Sequence, residues 1–200
     1  MAEPIEFYFD FSSTYGYLGA TKISALAAKH GRKVAWKPIL LGVVFKATGA
    51  APLPSVPLKG DYSKRDVERV ARLWGVPFRI PTKFPIAGQA PSRIVSWLGQ
   101  TDPGKQEAAV LALYRAFFVD GLDISSPEVA ADVVTSVGID RDAALAATQD
   151  AEVKDRFKNE VEAALKKGVC GSPFVIVDGE PFWGTDRFDH VSRWLATGGW

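Results

Sequence analysis

The sequence predicts an α/β fold in which strands from the two ends of the chain form one sheet, with a large all-helical insertion between them. Two observations predict this fold. A strand, a helix and a second strand follow one another near the start, and two short strands and a helix close the chain. Strand, helix and strand within about 37 residues is the size of a βαβ unit, whose two strands are parallel.

The first strand is predicted at residues 5–11, IEFYFDF, because aromatic residues occupy every second position and favour a half-buried sheet surface. The helix that follows, at 14–30, has apolar residues at helical spacing and Gly31 at its expected end. The second strand is predicted at 33–41, with Pro38 marking its end or an edge.

The pattern then becomes helical. Two proline-rich loops, at 49–60 and 76–91, flank an amphipathic helix at 61–75. The rest of the middle region is predicted to consist of five helices, at 92–99, 104–119, 127–137, 141–148 and 151–167.

The end of the chain predicts a hairpin and a helix. Residues 174–184, FVIVDGEPFWG, indicate two strands joined by an Asp-Gly turn. The final helix is predicted to begin with Thr185 or Asp186 as its N-cap.

A βαβ unit and a ββα unit that share one sheet define a thioredoxin-like arrangement. The predicted thioredoxin-like domain comprises residues 1–41 and 168–200, and residues 42–167 form the predicted helical insertion domain. We find no internal repeat in the sequence.

Composition limits the classes of function. The 24 Lys and Arg residues balance 23 Asp and Glu residues, so neither nucleic acid nor a membrane is the expected partner. One cysteine, Cys170, and two histidines exclude an internal disulfide and a Cys/His zinc cluster, and no metal site is predicted. The first residues are acidic rather than basic, so we expect no signal peptide and a cytoplasmic location.

The polar turn Ser12-Ser13-Thr14 separates the first strand from the first helix. In a thioredoxin-like arrangement this loop carries the active site, where free N–H groups and the helix dipole stabilise an anion. Disulfide exchange needs a thiolate on the protein, and this turn has no cysteine. A serine hydroxyl here could instead stabilise a thiolate of another molecule and lower its pKa from about 8.5. The structural alternative is a plain helix N-cap.

A second feature lies at the other end of the chain. Ser172-Pro173 comes directly before the third strand, where thioredoxin-like folds have a cis-proline facing the first helix. The backbone of the residue before that proline pairs with a bound peptide-like ligand. Because a proline at a strand start is otherwise ordinary, the combination with the serine turn is more informative than either feature alone.

Three segments, FYFDFSSTYGYLG, GVCGSPFVIV and FWGTDRFD, resemble the 2-hydroxychromene-2-carboxylate isomerase family of the kappa-class glutathione transferase group, and the resemblance covers essentially the whole chain. Alignment on the family motif places Ser13 on the functional serine and Ser12 on an apolar position. Thr14 replaces the usual proline, and Gly16 replaces a second serine. Ser13 is favoured, and whether Ser12 shares or replaces its role is left open.

The resemblance implies glutathione as the cofactor. Ser13 would hydrogen-bond the glutathione sulfur, and Ser172, before Pro173, would pair with its cysteinyl backbone. The γ-glutamyl end would be bound by Trp183, Gly184, Thr185 and Asp186. A helix start supplies N–H groups for a carboxylate, and an aspartate can pair with an ammonium group. Cys170, close to the site in sequence, is expected to be a small buried residue.

The implied reaction interconverts 2-hydroxychromene-2-carboxylate and trans-o-hydroxybenzylidenepyruvate. Addition of the glutathione thiolate makes a conjugated double bond single, rotation follows, and elimination restores the bond. An aromatic carboxylate substrate requires an apolar slot and a cation. The substrate-binding candidates are Phe45, Lys46, Lys59 and Phe84, although either lysine could be a solvated surface residue. The resemblance also implies a homodimer.

Two other functions remain open at this point. A kappa-class-like glutathione transferase or peroxidase would use the same thiolate on another electrophile. A non-enzymatic protein could keep the thioredoxin-like scaffold and its peptide-binding groove. Binding of glutathione separates the two enzymes from the scaffold, and turnover without consumption of glutathione separates the isomerase from the transferase.

Overall fold

The computed structural model describes residues 3–200 of the chain. Its four strands form a sheet in the order β2-β1-β3-β4, in which β1 runs parallel to β2 and antiparallel to β3, and β4 pairs antiparallel with β3. The strands are β1 Ile5–Phe9, β2 Val34–Pro38, β3 Phe174–Val177 and β4 Glu180–Trp183. The predicted thioredoxin-like sheet, built from a βαβ unit and a ββα unit, is confirmed.

Nine α-helices accompany the sheet within the described residues. A π-helical segment, Ala116–Asp120, extends α5. None of the described helices is long and apolar enough to cross a membrane. The helices are α1 Thr14–Lys29, α2 Leu41–Thr48, α3 Lys59–Trp74, α4 Gln89–Thr101, α5 Gln106–Arg115, α6 Pro127–Thr135, α7 Arg141–Gln149, α8 Ala151–Lys166 and α9 Phe188–Thr197.

Aromatic packing explains why the first strand forms. Phe7 and Phe9 are fully buried and share one side of β1. Trp36 on β2 meets both rings edge-on, with centroid distances of 5.3 Å and 5.9 Å. Cross-strand aromatic contacts of this kind stabilise a sheet beyond simple burial.

Tyr114 of α5 joins the helical region to the end of the first strand. Its fully buried ring lies 4.9 Å from the Phe11 ring and 5.6 Å from the Tyr17 ring, centroid to centroid. The same core cluster contains residues from the sheet and from α1, α4, α5 and α6. Packing of Tyr114 against Phe11 and Tyr17 therefore fixes the turn between β1 and α1 to α5.

Several boundary predictions were wrong. The first strand ends at Phe9 rather than at residue 11. The second strand ends at Pro38 rather than at residue 41, and α2 begins at Leu41, because the Leu41 N–H is bound by the Asp10 carboxylate from another part of the chain. A short periodic pattern gives no sign of such a distant partner. Helix α4 begins at Gln89 and includes Pro91 in its first turn, where the missing N–H costs no helical hydrogen bond.

The N-cap prediction for the last helix was also wrong. Thr185–Arg187 form a 3₁₀ turn, and α9 begins at Phe188 without a side-chain cap. The Asp186 carboxylate instead lies 3.6 Å from the Arg187 guanidinium. The Asp186 side chain thus forms no capping hydrogen bond with the backbone of α9.

Candidate functional site

Ser13 lies at the junction between β1 and α1, where it is 7% exposed. Its backbone is extended and it is the N-cap of α1, with its Oγ accepting a hydrogen bond from the Gly16 N–H at 2.9 Å. The same hydroxyl donates to the carbonyl of Ser172, also at 2.9 Å. Ser13 therefore caps the helix and also contacts the loop at the other end of the sequence.

The Ser172–Pro173 peptide bond is cis, as the sequence predicted. The Ser172 carbonyl faces Ser13, and the Ser172 N–H has no acceptor among residues 3–200. An extended peptide needs one donor and one acceptor from the backbone that it pairs with. Ser172 has both groups, so this loop has the backbone donor and acceptor that an extended peptide-like ligand requires.

Ser12 has a different environment. Its hydroxyl accepts a hydrogen bond from the Ile86 N–H at 3.0 Å, which fastens the loop before α4 to the turn. Phe84, in that loop, forms the second cis bond of the chain with Pro85. Ser13 thus faces the cis-proline loop, whereas the Ser12 hydroxyl faces the loop before α4.

Gly16 leaves room for two hydroxyl groups at the start of α1. A Cβ placed on Gly16 would lie 2.7 Å from both the Ser172 Oγ and the Tyr114 hydroxyl, and 2.9 Å from the Ser13 Cβ. Contacts this short do not occur between well-packed atoms. Any residue larger than glycine would therefore displace part of the site.

Asp10 is buried directly beneath the turn. Burial raises the pKa of its carboxyl group from 3.8 to about 6, while hydrogen bonds from the Leu41 and Ser12 N–H groups act in the opposite direction. The Tyr114 hydroxyl donates to the Asp10 carbonyl at 2.8 Å. Burial, followed by the nearby Asp10 charge, raises the pKa of Tyr114 well above its ordinary value, so this hydroxyl stays protonated.

The predicted γ-glutamyl segment, residues 183–186, begins at the last residue of β4. Its Gly184 N–H donates to the carbonyl of Pro173 at 3.0 Å, which fixes the segment beside the cis-proline loop. Trp183 is 61% exposed, and its indole lies against Gly171, where there is no space for a Cβ. Thr185 is buried, whereas the Asp186 carboxylate is exposed beside the Arg187 guanidinium.

The four predicted substrate-binding residues lie on three different segments. Phe45 and Lys46 belong to α2, whose first N–H is held by Asp10, and Lys59 is the first residue of α3. Both lysines are exposed and have no ion-pair partner within residues 3–200. Phe84 is half-buried, and its ring lies 6.4 Å from Phe117 and 6.2 Å from Phe118.

Cys170 is exposed, so the expectation that it is buried was wrong. Val169 takes the buried position, and Gly171 takes the next one beneath Trp183. The cysteine between them is left on the surface, two residues before Ser172.

The contacts of Asp10 and Tyr114 with the serine turn were not predicted from the sequence. A lone carboxylate in a run of buried aromatic residues was a usable signal, because a buried charge requires partners. Tyr114 gave no such signal, since a tyrosine in a helical pattern is ordinary. Its contact with the turn depends on the packing of α5.

The class of protein follows from three features: strands from both ends of the chain in one sheet, a cis-proline loop, and a turn before α1 that has no cysteine. It is a thioredoxin-like protein without a thiol in that turn. Residues 4–196 match the family model described as a DSBA-like thioredoxin domain. The chain therefore belongs to the DSBA-like thioredoxin domain family.

The similar proteins include isomerases and kappa-class glutathione transferases. The chain is 27% identical to a 2-hydroxychromene-2-carboxylate isomerase of Sphingobium xenophagum, over 98% of this chain and 99% of that protein. It is also 27% identical to glutathione S-transferase kappa 2 of Caenorhabditis elegans, over 96% and 91%. A solved structure of a 2-hydroxychromene-2-carboxylate isomerase superposes with a TM-score of 0.86 at 26% identity, covering 96% of this chain and 94% of that one.

Proposed function

We propose that the chain is a glutathione-dependent isomerase that interconverts 2-hydroxychromene-2-carboxylate and trans-o-hydroxybenzylidenepyruvate. One observation carries the proposal: the Ser13 hydroxyl lies at the start of α1 and contacts the residue before the cis-proline, in a turn without cysteine. The similarity to two groups of relatives, one named as isomerases and one as kappa-class transferases, supports it.

When bound, glutathione supplies a thiolate that adds reversibly to the conjugated substrate. Ser13 and the start of α1 would hold that sulfur anion. The N–H groups of Thr14 and Tyr15 have no acceptor among the described residues, and they add to the positive end of the helix dipole. The Ser13 hydroxyl can turn from the Ser172 carbonyl to an anion once another donor occupies that carbonyl.

The other residues orient the two molecules. Ser172, before Pro173, would pair with the cysteinyl backbone, and Asp186 would bind the γ-glutamyl ammonium group. Lys46 or Lys59 would bind the substrate carboxylate, because both are exposed cations without an ion-pair partner in the described part of the chain. Phe45 and Phe84 would supply apolar contact to the aromatic ring.

The proposal is tested by following the ultraviolet spectrum of 2-hydroxychromene-2-carboxylate with the protein, with and without glutathione. We expect glutathione-dependent conversion and a loss of about 100-fold or more in Ser13→Ala, because the variant lacks a hydrogen-bond donor that keeps the glutathione sulfur ionised. Ser24→Ala is the matched control, because it removes a buried hydroxyl of the same helix that has no hydrogen-bond partner. Full activity of Ser13→Ala would refute the role of Ser13 and direct attention to Ser12.

A second candidate is a glutathione transferase that uses the same site on another electrophile. The similarity to glutathione S-transferase kappa 2 favours it. The two reactions differ in what happens to the thiol: an isomerase regenerates glutathione, whereas a transferase consumes it. Titration of free thiol during turnover therefore separates them. A protein that binds no glutathione would be neither.

A further inference from the structure

Asp10 forms hydrogen bonds with several segments that surround the candidate site. Its carboxylate accepts the Ser12 N–H on Oδ1 at 2.6 Å and the Leu41 N–H on Oδ2 at 2.7 Å. Its own N–H donates to the Ser172 Oγ at 3.0 Å. Its carbonyl accepts from the Tyr114 hydroxyl at 2.8 Å and from the Ser13 N–H at 2.9 Å.

These bonds connect four separate segments through one residue that is 3% exposed. The segments are the serine turn, the start of α2, the cis-proline loop and α5. Each carboxylate oxygen holds a different segment, so the carboxylate fixes the distance between the serine turn and α2.

The surroundings of the carboxylate contain few other charges. From α5, the titratable group that faces Asp10 is Tyr114, which stays protonated. On the loop before α4, Lys83 pairs with Asp123 at 2.6 Å. On α2, Lys46 is exposed, and the cis-proline loop contributes the exposed Cys170. The hydrogen bonds to the carboxylate therefore come from neutral backbone groups.

We propose that Asp10 is a positioning residue whose ionised carboxylate couples the Ser13 turn to α2, so that the glutathione site and the aromatic-carboxylate site keep one geometry. This inference rests on the proposed function for the two ligands, but the coupling itself is a property of the fold. Each carboxylate oxygen accepts one of the two backbone N–H groups, and in the ionised form both oxygens are full acceptors. A protonated carboxyl group has one oxygen that carries a hydrogen, so one of the two bonds weakens.

Protonation should therefore loosen one of the two segments in the pH range where Asp10 titrates. Because the pKa of Asp10 is raised to about 6, this range lies just below neutral pH. Above it, the carboxylate is ionised and both N–H groups are held. Below it, the serine turn and α2 are no longer held by a common anion.

The first experiment follows the amide ¹H–¹⁵N signals of Ser12 and Leu41 over the range from about pH 4.5 to about pH 8. We expect both signals to shift with one common midpoint near 6, and both shifts to be absent in Asp10→Asn. Asp178→Asn is the control, because that carboxylate lies at the far end of the sheet and its pKa is lowered by Arg32. Independent midpoints, or a common midpoint that persists in Asp10→Asn, would overturn the coupling.

The second experiment measures binding of S-methylglutathione, which has no thiol to titrate. We expect its affinity for the wild type to fall about tenfold from pH 7 to pH 5, which corresponds to about one weakened hydrogen bond to a charged group. In Asp10→Asn, affinity should be low and independent of pH over this range, and in Asp178→Asn it should follow the wild type.

The outcomes separate this inference from the proposed function. A common amide midpoint together with pH-dependent binding supports the positioning role. A common midpoint with binding that is unchanged by pH overturns the role of Asp10 in ligand binding, whatever the reaction is. If S-methylglutathione does not bind at any pH, the proposed function fails, while the amide titration still decides whether Asp10 couples the two segments.

Discussion

The two ends of the β-sheet use aspartate in opposite ways. At one end Asp10 is buried, and its carboxylate is held by backbone N–H groups of two segments. At the other end Asp178, in the turn between β3 and β4, forms a bidentate pair with Arg32, at 2.6 Å and 3.0 Å. The Asp178 side chain is half exposed, so water competes with the guanidinium.

The pKa values follow from this difference. Burial raises the pKa of Asp10, whereas the Arg32 guanidinium lowers the pKa of Asp178 despite some burial. The buried aspartate costs stability in its ionised form and positions the site. The half-exposed pair links Arg32 to the turn between β3 and β4 and stabilises this contact weakly. Polar groups that the fold buries are therefore a better guide to function here than ion pairs at the surface.

The largest effect is expected from Gly16→Ala, which overpacks the region around the serine turn, at the end of the sheet where Asp10 is buried. The new Cβ would lie 2.7 Å from the Ser172 and Tyr114 hydroxyls, and we expect a loss of about 3 kcal/mol in the free energy of unfolding. Glutathione-dependent activity should fall with it. Gly42→Ala in α2 is the control, because nothing lies within 4 Å of its Cβ position. Urea unfolding of both variants measures the effect, and equal stability of the two would contradict it.

An almost equal effect is expected in the pH dependence of stability. The folded pKa of Asp10, about 6, exceeds its ordinary value of 3.8, so the folded state binds more protons between these values. The contribution of Asp10 to stability is complete below about pH 4 and is lost as pH rises through about 6, a change approaching about 3 kcal/mol.

Asp10→Asn should remove this slope. Urea unfolding of the wild type and the variant at about pH 4.5 and about pH 7 gives the comparison, and the difference between the two proteins cancels the other carboxyl groups. A variant with the same slope as the wild type would show that another group is responsible.

The smallest effect is expected at the exposed end. Asp178→Asn breaks the pair with Arg32, and exposed ion pairs contribute about 0–1 kcal/mol. We expect a loss within that range and unchanged glutathione-dependent activity, measured by urea unfolding and by the isomerase assay. A large loss of activity would mean that the two ends of the sheet are coupled, and the contrast between Asp10 and Asp178 would then be wrong.

Local patterns were sufficient to predict most of the fold. The alternating aromatic residues of β1 and the Asp178-Gly179 turn indicated strands. Apolar residues at helical spacing, Val153, Phe157 and Val161, indicated the helix predicted at 151–167, which is α8. The patterns failed where a distant contact decides the local structure. Helix α2 begins at Leu41 because Asp10 holds its N–H group, and no pattern around Leu41 shows that partner.

The site was only partly predictable for the same reason. The cis bond before Pro173 and the nearness of Ser13 to Ser172 follow from the fold class, which the sequence indicated. The roles of Tyr114 and Ile86 depend on how α5 and the loop before α4 pack against the turn. Contacts between residues about 70 to 100 positions apart leave no periodic signal.

The space around Gly16 also limits redox engineering of this chain. Residues 13 and 16 have the spacing of a Cys-x-x-Cys pair, so by sequence alone two substitutions install a dithiol. A Cβ on Gly16 would lie 2.9 Å from the Ser13 Cβ, closer than the roughly 3.5–4.5 Å of a relaxed disulfide. The second sulfur would also meet the hydroxyls of Ser172 and Tyr114. Conversion to an oxidoreductase would therefore also require smaller residues at positions 114 and 172.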